Sequence, residues 1–238
     1  MKGLLLALGF LTRLPVPSGS ADPEAFAAAI RCYPVVGLVV GALVAGAGWL
    51  GSLADPWVGA LAALACWVGV TGALHLDGLA DVADGVGAAH GDHSRLIAVM
   101  ADPHVGSFGV VAIVLQLLAK LVLLHGVASL GWLPVVLVPF AARMGPLAWA
   151  RWVRPLKPGG LGASVASAVR SRDLWGWAAV LAAACVAVPA LIVAPLLIAA
   201  AAAWFRRRLG GVTGDAHGAG IELMETGLLV ALVAIGQR

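Results

Sequence analysis

The chain has 238 residues, of which 61% are apolar and 11% charged, with a formal net charge of +3 and a mean hydropathy of +0.99. Soluble domains are roughly 45–50% apolar and about 25% charged, so a water-soluble globule is excluded. Intrinsic disorder, which needs low hydrophobicity and high charge, is excluded as well. The apolar residues form long unbroken runs, unlike the short alternating strands of an outer-membrane barrel. The chain therefore reads as an all-α, polytopic integral membrane bundle of about six to seven transmembrane helices, in one domain over 1–238. The small basic excess suits loops beside anionic lipid and gives no sign of a nucleic-acid partner.

Residues 1–14 are apolar and lead into Arg13-Leu14-Pro15-Val16-Pro17 without a small-residue cleavage site, which predicts a retained interfacial or re-entrant segment. A hydrocarbon core of about 30 Å takes roughly 20 helical residues. Spans are expected near 26–50, 56–74, 106–126, 130–149 and 219–236. The stretch 174–205 is about 48 Å long as one helix, too long for one crossing and short for two, with Pro189 and Pro195 interrupting its middle. If it is a hairpin, Lys2, Arg13, Arg31, Arg95, Arg143, Arg151, Arg154, Lys157, Arg170, Arg172 and the triplet Arg206, Arg207 and Arg208 share one side. The turns at 52–55 and 127–131 carry no Lys or Arg. The positive-inside rule then predicts seven spans and a cytoplasmic basic face in a bacterial inner membrane. The same topology gathers Asp77, Asp81, Asp84, Asp92, Asp102, Asp215 and Glu222 at or near that face. Cys32, Cys66 and Cys185 lie in apolar surroundings without a CxxC and are expected only to pack. Trp149, Trp152, Trp175 and Trp177 are expected in interfacial belts.

Three polar segments carry chemistry. In His75-Leu76-Asp77-Gly78-Leu79-Ala80-Asp81-Val82-Ala83-Asp84-Gly85 the acids recur at i, i+4 and i+7, within about 60° of one another on a helix. Like charges on one stripe repel, and a divalent cation removes that penalty. An oxygen-only ligand set points to a hard ion, Mg²⁺ or Mn²⁺. His75 projects to the opposite side and is either a satisfied interfacial histidine or a support for the site. The second segment, Leu209-Gly210-Gly211-Val212-Thr213-Gly214-Asp215-Ala216-His217-Gly218, is a glycine-rich turn suited to an anion, before a helix expected to begin near Ala219. Glu222 and Glu225 follow inside an apolar span, where an acid is a functional candidate by default. The third runs from Arg95 to Gly109. Asp102 there either joins the acidic cluster or caps the next helix, and Lys120 either snorkels or pairs with an acid such as Glu225. The basic stretch Arg143 to Lys157 either clamps phosphates or only sets topology. Acids for a metal and basic or glycine-rich groups for anions are the equipment of phosphoryl transfer, with a spare carboxylate as general base.

The run from His75 to Gly85 resembles the signature of the cobalamin synthase family, the adenosylcobinamide-GDP ribazoletransferases. So do Phe10-Leu11-Thr12-Arg13-Leu14-Pro15-Val16-Pro17, the segment 100–109, and Gly210-Gly211-Val212-Thr213-Gly214-Asp215 with Gly218, Ala219 and Glu222. The resemblance runs from about residue 4 to 230 in order. It implies a Mg²⁺-dependent integral membrane enzyme that joins adenosylcobinamide-GDP to α-ribazole, or its 5′-phosphate, and releases GMP. The ribazole 3′-hydroxyl would attack the phosphate next to the cobinamide arm. On that resemblance Asp77, Asp81 and Asp84 would hold Mg²⁺, while Asp102, Asp215 and Glu222 are candidates for a second ion or the base. Arg13, His75, His104, Arg143, Arg154, Gly211, Thr213 and Gly214 are candidates for substrate contact, in a chain that could also form a homo-oligomer. Basic residues usual in the family at the positions of Ala101 and His104 are replaced here, so a phosphate contact from that loop rests on His104 when protonated. A CDP-alcohol phosphotransferase is the alternative, but its signature has Arg where Asp81 stands. An ion-coupled transporter would show related charged segments in two halves, and none is apparent.

Overall fold

The computed structural model describes residues 2–17, 22–156 and 161–236. Lys157 lies outside them. Helices dominate: α1 (Lys2–Leu11), α2 (Pro23–Ala28), α3 (Tyr33–Ser52), α4 (Pro56–Thr71), α5 (Leu74–Ala89), α6 (His93–Val99), α7 (Ser107–Ala128), α8 (Leu137–Ala142), α9 (Gly145–Trp152), α10 (Leu161–Ala168), α11 (Ser171–Ala187), α12 (Ala194–Trp204) and α13 (Gly214–Gly236). Five stretches are long and apolar enough to cross a bilayer: Pro23–Ser52, Ser107–Ala128, Leu133–Trp152, Pro189–Leu209 and Gly214–Gly236. The bent pair α4–α5 makes a sixth if counted as one span. The chain is thus built as a multi-pass helical membrane protein.

Among the described residues the count by length and apolar character reaches five or six rather than seven, because two helices are short. Helix α4 has 16 residues and α11 has 17, at or below the lower limit of about 17 for a crossing. The 174–205 stretch does break at its prolines, with Val188 at φ −134°, ψ 86° between α11 and a 3₁₀ turn at Pro189–Val193.

Helix α4 begins where Asp55 accepts the Trp57 amide at 2.7 Å and ends at left-handed Gly72. Ala73 is left-handed too, at φ 57°, an uncommon conformation for a residue with a side chain. These two residues turn α5 through 84° from α4. The Arg13 amide donates to Val70 O at 2.7 Å, and the Arg13 side chain covers Gly72 so closely that a Cβ there would clash. Helix α1 and the bend are therefore tied together.

Helix α13 is the centre of the bundle, packed against α5, α7 and α8. Helix α7 is peripheral, with Val111, Leu115, Leu118 and Val122 exposed; an apolar outer face of this kind suits acyl chains. The belt expectation is corrected for Trp149. It is fully buried, its indole donates to Ile198 O at 2.9 Å, and glycines at 145 and 220 make room for its ring. Trp177 is half-buried and donates to Arg31 O at 3.0 Å, while Trp152 and Trp175 are exposed. The three cysteines are free and half-buried.

Candidate active site

Helices α5 and α13 approach backbone to backbone, most closely at Gly78. A Cβ on Gly78 would stand 2.7 Å from the Asp215 carbonyl oxygen, so only glycine allows the contact. That approach brings the first acidic segment to the second, and the charged neighbours acting on Asp81 are Asp77, Asp215 and Asp84. Asp77 is exposed and Asp81 half-buried.

Asp84 does something else. Its Oδ2 accepts the Gly106 amide at 2.7 Å and its Oδ1 the Gly109 amide at 2.9 Å. These are orphan donors of the first turn of α7, and a carboxylate there also opposes the helix dipole. Gly106 and Gly109 are required because a Cβ on either would press on the carboxylate. Among the described residues, no group of three or more His, Cys, Asp or Glu side chains is gathered closely enough to hold a metal ion. Of the expected Asp77, Asp81 and Asp84 set, Asp84 is engaged in capping α7. Among the described residues, Asp77 and Asp81 make no such backbone contact and lie on the side of α5 where Asp215 acts on Asp81. One or two carboxylates, completed by substrate phosphates and water, are the usual donor set for Mg²⁺, and this oxygen-only set fits it.

Asp102 does not cap α7 either. Its Oδ1 accepts the His104 amide at 2.9 Å and lies 2.7 Å from His104 Nδ1, in an exposed loop. Those bonds hold its carboxyl below the usual range.

Two further candidates move inward. Glu222 is seven residues beyond Asp215 on α13, about 10 Å deeper. It is 3% exposed; its Oε2 lies 2.7 Å from Lys120 Nζ and accepts Gln116 Nε2 at 2.8 Å. Arg143 is fully buried, with one terminal nitrogen 2.9 Å from Glu225 Oε1. Lys120 Nζ also lies 2.6 Å from Glu225 Oε2 and 4.5 Å from the centroid of the Trp67 ring. Two cations and two anions therefore neutralise each other inside the bundle. Glu222, expected as a catalytic acid or second-ion ligand, and Arg143, expected as a substrate contact, both lie in this cluster. Lone intramembrane charges are costly and persist when paired. Gln116 was not foreseen; a single amide in an apolar run carries no periodic signal.

The glycine turn is pinned rather than open. Arg154 Nε donates to Gly210 O at 2.7 Å, Val212 N to Arg154 O at 2.9 Å and Leu156 N to Val212 O at 3.0 Å. Gly210 is left-handed at φ 74°, and a Cβ on Gly211 would meet Arg154 O. Thr213 caps α13, its Oγ1 accepting the Ala216 amide at 3.1 Å. The helix thus starts at Gly214, five residues before the expected position. Arg154 and Arg151 line an open depression of about 440 Å³. A second, smaller cavity of about 210 Å³ is lined by His75, Asp77, Gly214, Asp215 and His217 among apolar neighbours. His75 is 3% exposed and neither ring nitrogen has a partner.

The cobalamin-5-phosphate synthase family model matches residues 3–233. The chain belongs to the cobalamin-5-phosphate synthase family. A relative from Novosphingobium aromaticivorans, named adenosylcobinamide-GDP ribazoletransferase, is 60% identical over 99% of this chain and 98% of its own. Relatives of the same name from Thiobacillus denitrificans and Pseudomonas aeruginosa PAO1 are 48% and 41% identical, over 97% and 98% of this chain and 94% and 98% of their own. No solved structure matches the chain. As a cobalamin-5-phosphate synthase family member, the protein is a membrane enzyme of cobalamin synthesis.

Proposed function

We propose that this chain joins adenosylcobinamide-GDP to α-ribazole or its 5′-phosphate and releases GMP, at a site on the cytoplasmic face of the inner membrane. The observation that carries the site is the close approach of Gly78 to Asp215, which sets Asp77 and Asp81 opposite Asp215 at the polar ends of α5 and α13.

In this reading the ribazole 3′-hydroxyl attacks the phosphorus nearest the cobinamide. A new P–O bond to ribazole forms, the bond to the bridging oxygen breaks, and GMP leaves with that oxygen. One carboxylate of the Asp77, Asp81 and Asp215 group takes the hydroxyl proton, as general-base catalysis requires. Asp77 and Asp81 are the groups that would hold Mg²⁺, which when bound neutralises charge on the diphosphate oxygens. Arg13, beside the α4–α5 bend, and the exposed Arg151 and Arg154 supply cations for the diphosphate or a 5′-phosphate. Arg154 is held in place by its bond to Gly210 O.

Transport through the bundle is disfavoured because Glu222 and Glu225, the acids such a route would use, are already neutralised by Lys120 and Arg143. The deciding experiment uses purified protein in lipid nanodiscs with Mg²⁺. GMP release that needs both adenosylcobinamide-GDP and ribazole supports the reading; no release with both present removes it. Orientation has its own test. Neutralising Arg206, Arg207 and Arg208 should scramble the side on which a C-terminal reporter appears, and a reporter that never changes sides contradicts a charge-set topology.

A further inference from the structure

Helix α5 has two seats, each on the N-terminal end of another helix. Near its start it meets α13: a Cβ on Gly78 would press on Asp215 O, and one on Gly218 would press on the His75 backbone. Near its end it meets α7, where Asp84 holds the Gly106 and Gly109 amides and a Cβ on Gly87 would strike the Phe108 ring. Gly78 and Asp84 are six residues apart, about 9 Å of helix, and neighbouring helix axes stand about 8–10 Å apart. Asp81 lies midway between the two seats. The spacing and register of α7 and α13 therefore decide where Asp81 stands relative to Asp215.

These two supports run parallel. Gln116 meets Glu222, a Cβ on Gly126 would touch Val233, and one on Gly236 would touch Leu130. Gln116 and Lys120 are the buried polar rungs between them, and Gln116 is one turn nearer the seats. Its Nε2 stands 2.9 Å from Glu222 O, 2.8 Å from Glu222 Oε2 and 2.8 Å from Thr226 Oγ1. All three oxygens belong to α13. A slip of one residue would move α13 by about 1.5 Å along its axis and break these bonds where water cannot replace them.

We infer that Gln116 is a positioning residue for the acidic site: by fixing α13 against α7 it sets Asp215 near Asp81. The inference rests on the transfer reaction proposed above. Gln116 acts from seven residues beyond Gly109 on α7, about 10 Å deeper in the bundle.

The test uses the full chain in nanodiscs. Gln116→Met keeps the side chain's length, removes the amide, and leaves Lys120 and Arg143 to neutralise the two glutamates. It should lower kcat about tenfold or more, as small displacements of reacting groups do, while both substrate KM values stay within about twofold. Gln116→His restores an N–H at similar reach and should recover part of the loss. A merely structural residue would lower turnover by the same factor in any background. A residue acting through Asp215 should cost less than about twofold once Asp215→Asn is already present. Equal losses in the two backgrounds overturn the assignment. Geometry gives a readout without turnover. Nitroxide labels at Val86 on α5 and Val230 on α13, both exposed, in a chain with its three free cysteines replaced, should change their separation by at least about 1.5 Å on Gln116→Met. An unchanged distance overturns the assignment. If Gln116→Met does not fold, Thr226→Val deletes one of the three oxygens with little change in volume, and should move turnover and label distance the same way by smaller amounts; neither moving overturns it. A label distance that responds in a chain whose wild type releases no GMP from the two substrates removes the reaction and keeps the brace.

Discussion

Asp84 on α5 accepts the backbone N–H of Gly109 on α7 at 2.9 Å, and the neighbouring Gly106 amide at 2.7 Å. The third acid of the sequence stripe is therefore a fastener between two helices. Asp84→Asn should lower stability by about 1–2 kcal/mol, the range for a lost cap and its dipole interaction, in a denaturant titration of detergent-solubilised protein. The Mg²⁺ concentration giving half-maximal rate should not move. A shifted Mg²⁺ requirement with unchanged stability would return Asp84 to the metal.

Asp81→Asn should reduce GMP release by about 100-fold or more, as removal of a group that stabilises transition-state charge does, while membrane insertion and unfolding stay as in the wild type. Wild-type turnover in Asp81→Asn would exclude Asp81 from the reacting centre. Asp77→Asn should behave alike.

The contact between Gly78 and Asp215 gives a steric test. Gly78→Ala must push α5 away from the α13 backbone, and should cut turnover by at least about tenfold, as small displacements of catalytic groups do. Gly69→Ala on α4 has open space around it and should leave turnover unchanged. Equal rates for the two variants would show that the close approach is dispensable.

Lys120, Glu222, Glu225 and Arg143 form one buried network. Lys120→Met alone should cost about 3–5 kcal/mol, since it leaves buried carboxylates undercompensated. Combined with Glu225→Gln the loss should be less than the sum, with a coupling of about 0.5–3 kcal/mol in a double-mutant cycle. Strict additivity would mean that the two side chains do not interact.

His104 holds the Asp102 carboxyl below its ordinary range through a backbone N–H and a ring contact. With the folded value depressed, the interaction is fully present above the ordinary carboxylate range and is lost as pH falls through the depressed value. Replacing His104 by Ala should move the Asp102 titration upward, measured by NMR of a carboxyl-labelled sample. A titration curve identical in both proteins contradicts the contact.

Much of the architecture was legible from runs of apolar residues, because a bilayer imposes a minimum length on each crossing. The spans at 26–50, 106–126, 130–149 and 219–236 correspond to Pro23–Ser52, Ser107–Ala128, Leu133–Trp152 and Gly214–Gly236. The count of seven was not, because hydropathy does not register where the helices stop: α4 ends at Gly72 after 16 residues and α11 at Val188 after 17. Periodicity placed Asp77, Asp81 and Asp84 on one stripe, yet it takes no account of a donor on another helix. The amides of Gly106 and Gly109 engage Asp84 from across the bundle. Glu222 and Arg143 read as site residues because a charge near a membrane is conspicuous, and their pairing with Lys120 and Glu225 is visible only in the packed bundle.

The sequence by itself determined that the chain lives in lipid, that its acids lie beside glycine-rich turns, and which family it resembles, because composition, run length and residue order are local properties. Tertiary structure decided which of those acids face one another, which are spent on capping or neutralisation, and where a cavity opens beside His75. Those outcomes depend on contacts between residues as distant in the chain as Lys120 and Glu225, or Gly78 and Asp215, and burial converts each such contact from a weak preference into a constraint.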